Sequence, residues 1–178
     1  MALPSPRALF VEILHALHSS EHQLVRALPK MRDGASSREL RTMVSDCLAE
    51  SESHCEQMEG IAQLVQEKLG GERCRVMEAL VKQGVDLTER RGDERILDLA
   101  LVMTLRQICN YRKSAYEIAR SLAEVLEEGD ISKMIDQMLS DSERTERALL
   151  LLSEDMSDSV MHERREGPRE GVGSSPVL

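Results

Sequence analysis

Glu50 and His54 stand four residues apart in CLAESESHCEQM, residues 47–58. On a helix that spacing stacks a carboxylate and an imidazole on one face, with Cys47 and Ser51 beside them. Glu21, in SSEHQLVRALPKM at 19–31, offers a second carboxylate. Carboxylate oxygens and imidazole nitrogens are ligands for iron, manganese or zinc. Helical bundles that hold a carboxylate-bridged metal pair take one Glu from each of two helices and a Glu/His pair, one turn apart, from each of the other two. Glu21, Glu50 and His54 supply about half of such a set. Cys47 and Cys109 bring thiols whose simplest role is as small buried hydrophobes. His15, His18 and His22 form a stripe with an i, i+4 pair of the kind that binds zinc. With no acidic or cysteine partner apparent beside it, the stripe reads as a solvated face.

The elements that must position these groups are helices. Ser5 and Pro6 start the first, which Pro29 and Asp33-Gly34 should bend or stop, giving a helix over about 6–31. Ser36 with Glu39 makes a capping-box pattern for the second, which runs to Gly70-Gly71. Residues 72–92 form a crossover carrying the short amphipathic piece CRVMEALVKQGVDL and ending in the loop ERRGDE. The third long helix spans about 93–128 and the fourth about 130–156. Each long helix has an apolar seam at alternating spacings of three and four, as a bundle core requires. All four seams turn polar near their middles, at Glu21, at Ser51 and His54, at Arg112, and at Ser142 and Thr145. Breaks at matching depth imply one shared polar layer, and a buried Glu in it needs a compensating partner. Residues 157–178, rich in charge, Gly, Ser and Pro without periodicity, read as a disordered polar tail after a domain at 5–156.

Composition narrows the function. Aromatic residues are 2% of the 178-residue chain and there is no Trp, which fits an all-α protein. A net charge of −9 opposes nucleic acid, an anionic membrane surface or acidic substrates as partners. No apolar run approaches the ~20 residues of a membrane span. MALPSPRALF lacks the pattern of a signal peptide, so the expected compartment is the cytoplasm. The four cysteines read as free thiols.

Several segments together resemble the ferritin-like family typified by the stress proteins YciE and YciF, over about residues 9–156. They are LF at 9–10, SSEHQLVRALPKM at 19–31, ESESHCEQME at 50–59, CRVMEALV at 74–81 and YRKSAYEIARSLAE at 111–124. The resemblance implies a ferritin-like four-helix bundle, with a long crossover carrying a short helix between the second and third long helices. It also implies a di-metal centre and a role linked to stress. Glu21 falls on the family's first-helix glutamate, and Glu50 and His54 on its acidic-and-histidine segment. Other family positions are altered here. Cys47 stands for a His and Ala49 for a Glu. Cys109-Asn110-Tyr111-Arg112 stands for Glu-His-Tyr-Glu, and Ser140-Asp141-Ser142 for an acidic cluster, with Glu146 at the later acidic position.

Glu21, Glu50, His54 and Glu146 are therefore the expected metal residues of a degenerate centre holding at most one iron, manganese or zinc ion. Arg112 replaces an acid with a permanent cation, and its planar fork is expected to pair with Glu21, Glu50 or Glu146. Three readings follow. The first is a stress-associated bundle protein acting through its surface, as a homo-dimer. The alternative is a metal-dependent oxidoreductase acting on iron or peroxide through Glu21, Glu50 and His54. The third is a thiol sensor using Cys47 and Cys109.

Overall fold

Ser5 accepts a hydrogen bond from the Ala8 amide and Pro6 begins the first turn, so α1 (Pro6–Gly34) starts where its residues dictate. A computed structural model describes residues 5–71 and 73–165, arranged as five helices. Pro29 does not stop α1, which runs on to Gly34 instead of ending near 31. The missing proline N–H removes one backbone bond, while the turns around it bury Leu28 and Met31. At Gly34 the helix end approaches the crossover so closely that a Cβ would lie 2.4 Å from Thr88 Cβ.

The cap of α2 (Arg38–Val65) is Ser37, one residue past the expected Ser36; its hydroxyl accepts from the Leu40 amide. The amides of Ser36 and Ser37 both donate to the carboxylate of Asp98, at 2.9 and 2.7 Å, from a distant helix. The crossover carries α3 (Arg75–Thr88). Asp93 caps α4 (Glu94–Val125), and α5 spans Gly129–Arg165. Helix thus continues past Met156 through the first part of the expected tail, while residues 166–178 lie outside the described residues. Helix α4 ends three residues before the expected Glu128, and Glu127 there takes a left-handed φ of 58°.

Short links join α1 to α2 and α4 to α5 as two hairpins. These pack through α1 against α4 and α2 against α5, with α3 laid across α1 and α4. The bundle core is divided. One apolar cluster holds Leu24, Leu28, Val44, Cys47, Leu105, Cys109 and Leu149; the other holds Phe10, Leu17, Met58, Tyr116, Ile135 and Met138. Along every long helix the gap between them falls at the polar break. Among the described residues no helix is long and apolar enough to cross a membrane.

Candidate functional site

The polar layer contains Glu21 from α1, Ser51 and His54 from α2, Arg112 from α4 and Ser142 from α5, all buried. Arg112 is its hub. Nε donates to Glu21 Oε1 at 2.8 Å, Nη2 donates to His54 Nδ1 at 2.7 Å, and Nη1 forms an ion pair with Glu50 Oε1 at 3.1 Å. Each nitrogen of the fork thus meets a different side chain. Burial works against the charged guanidinium, but Glu21, Tyr116 and Glu50 outweigh it and hold its pKa well above the usual arginine value.

Tyr116, one turn beyond Arg112, donates its hydroxyl to Glu21 Oε1 at 2.6 Å. Burial and the Glu21 charge push its phenol well above the ordinary range. Because Arg112 donates to His54 Nδ1, the imidazole carries its proton on Nε2. Burial first, and Arg112 second, lower the His54 pKa, so the ring is neutral. Its Nε2 faces Asp141 Oδ2 at 3.6 Å, beyond hydrogen-bond length. On the far side, Thr145 donates to Glu50 Oε2 at 2.5 Å.

These residues do not fit a dinuclear metal. Its α4 acids are absent, α5 offers Ser142 and Thr145 with Asp141 only at the layer's edge, and Glu21 and Glu50 already share a guanidinium. A dication would have to evict a permanent cation anchored by its own backbone. One Glu21 oxygen and the hydroxyls of Ser51 and Ser142 remain without a hydrogen-bond partner, which leaves some polar capacity in the layer but too few acids for two ions.

The structure gathers Glu21, Glu50 and His54 around Arg112 and places Glu146 elsewhere. Arg106 takes Glu146 at 3.2 Å on the partly exposed flank of the α4–α5 hairpin, so this residue, expected as a ligand or as a partner of Arg112, is engaged otherwise. Cys47 and Cys109 lie in the apolar cluster beside the layer. Burial pushes the Cys109 thiol up to about 12 and the Cys47 thiol higher still, so both stay protonated and packed.

The histidine stripe is not a plain solvated face. His15 Nδ1 accepts the Gly70 amide at 3.2 Å, tying down the turn after α2 where Gly70 has a φ of +119°. His18 Nε2 lies 3.0 Å from Glu59 Oε1, an acidic partner that sequence spacing did not reveal, and 3.1 Å from His22 Nε2. Burial and the neighbouring His18 lower the His22 pKa. Tyr116 and Asp141 were also missed as members of the layer. Tyr116 stands on the seam of α4, and its i, i+4 spacing from Arg112 was the available signal.

Known proteins share this architecture. The crystal structure of the E. coli stress protein YciF matches with a TM-score of 0.84 at 22% identity, over 87% of this chain and 98% of that one. YcfI from Rhodopseudomonas palustris matches with a TM-score of 0.79 at 23% identity, over 83% of this chain and 94% of that one. In sequence, protein YciF of Escherichia coli strain K12 is 24% identical over 139 residues, 78% of this chain and 84% of that protein. Residues 5–161 match the family model described as a domain of unknown function, DUF892. With the helix order, the crossover and this match in agreement, the chain belongs to the DUF892 family and is similar to YciF.

Proposed function

We propose that this chain is a non-catalytic, stress-associated bundle protein in which Arg112 takes the place of the metal pair that its family's fold accommodates. The degenerate centre then holds at most one metal ion, and the chain acts through its surface, as a homo-dimer in the cytoplasm. The observation that carries this reading is the guanidinium set among Glu21, Glu50 and His54 at 2.7–3.1 Å. An oxidoreductase working on iron or peroxide would need those same donors free to bind and exchange ligands.

Aerobic reconstitution with iron(II) tests the centre. At most one equivalent per chain, without the absorption of a carboxylate-bridged diferric pair, is the expected result. Two equivalents with that absorption would overturn it. Chain abundance in the host before and after osmotic and oxidative challenge tests the stress role, which an unchanged level under both would refute. Light scattering decides the dimer, and cell fractionation the compartment.

A further inference from the structure

His18, His22 and Glu59 converge on one point between α1 and α2, away from Arg112. His18 is buried, His22 half-buried and Glu59 exposed, and their ligand atoms all lie within 4.8 Å of one another. The two imidazoles meet edge to face with Nε2 toward Nε2. Hydrogen bonding serves this arrangement only by sharing one proton between two contacts. His18 Nε2 carries either one hydrogen or one lone pair. With a hydrogen, it faces two acceptors, Glu59 Oε1 at 3.0 Å and His22 Nε2 at 3.1 Å, and must divide one proton between them. With a lone pair, it can accept from a protonated His22 but then opposes the Glu59 carboxylate at 3.0 Å.

A divalent cation at the point of convergence accepts all three lone pairs at once. Zinc–nitrogen and zinc–oxygen bonds of about 2.0–2.1 Å set tetrahedral edges of roughly 3.3 Å, close to the two separations found here. The first-row ions that imidazole and carboxylate suit include zinc. We propose that His18, His22 and Glu59 form a binding site for one zinc-class divalent ion, separate from the polar layer. Both histidines also line an open cleft of about 700 Å³, shared with Arg26, Lys30 and Arg73, so the fourth coordination position faces solvent and suits water or a small anion.

Titration of the full-length chain with zinc(II) tests the site against a competing metal-binding dye. One equivalent should bind. His22→Ala and Glu59→Gln should each weaken that affinity at least tenfold while the circular dichroism of the bundle is unchanged. His54→Gln, in the polar layer, should leave it within twofold, which separates this site from any failure of the proposed centre. Cobalt(II) in place of zinc should give tetrahedral visible absorption without a thiolate charge-transfer band. Absence of zinc binding, affinity unchanged in His22→Ala, or a thiolate band would each overturn the assignment.

Discussion

Two clusters built from the same kinds of residue join α1 to α2. Around Arg112, Glu21 and His54 are buried and Glu50 is half-buried at the layer's edge; around the outer set Glu59 is exposed and His18 and His22 line an open cleft. The inner set has its cation supplied by the chain itself, fixed and undissociable, whereas Glu59 of the outer set pairs with His18 and with no lysine or arginine among the described residues. A carboxylate–imidazole cluster is thus defined as much by what neutralises it as by its ligands. Inside, a guanidinium makes the layer a structural element; outside, the same donor types remain available to an exchangeable ion.

The sharpest way to break the comparison is to remove the inner cation. Arg112→Met should destabilise the fold by about 3–5 kcal/mol, because the buried acids are left uncompensated. Adding Glu21→Leu should restore part of that loss, and chemical denaturation of the four forms measures the coupling. Purely additive losses would show that the pair does not interact energetically.

Smaller in size is the effect of pH on the inner imidazole. The fold lowers the His54 pKa below 6.5, through burial and Arg112, against the raising influence of Glu21, Glu50 and Asp141. Above pH 6.5 both folded and unfolded chains hold a neutral ring, so its contribution is fully present. As pH falls below that value the unfolded chain takes up the proton first, and stability declines until the folded-state pKa is passed. Denaturation of wild type and His54→Gln between pH 7 and pH 5 should show a shallower loss in the variant. Parallel curves would mean that His54 does not titrate differently in the two states.

At the flank, Glu146→Gln should cost under about 1 kcal/mol in the same assay, since its pair with Arg106 is partly solvated. A loss as large as that of Arg112→Met would place Glu146 in the layer after all. The last effect expected is none: zinc should leave the slow thiol labelling of Cys47 and Cys109 unchanged, because both are held protonated inside the apolar cluster. Protection by zinc would connect the outer site to the core.

The polar layer was legible in the sequence because helical periodicity is rigid. Breaks at Glu21, His54, Arg112 and Ser142 recur on the buried stripe of each helix, so their side chains had to meet, and Arg112 had to be compensated. Glu146 misled because it stands one residue beyond Thr145, and the 100° that one residue turns on a helix carries it from the core to Arg106. Glu59 was invisible for another reason: it lies off the seam of α2, and its approach to His18 depends on the register between two helices. Likewise, nothing local in Ser36 and Ser37 announces that Asp98 takes their amides. Helix ends shifted where burial outweighed punctuation, as at Pro29, where Met31 is wholly enclosed.

Asp98 carries a kinetic consequence. The turn between α1 and α2 is short and local, yet two of its amides are satisfied by a carboxylate about sixty residues later in the chain. That hairpin can collapse early, but its turn is complete only once α4 has docked and closed the long loop between them. The Asp98 contacts therefore belong on the native side of the folding transition state, where they act mainly as a brake on unfolding rather than as an accelerator of folding.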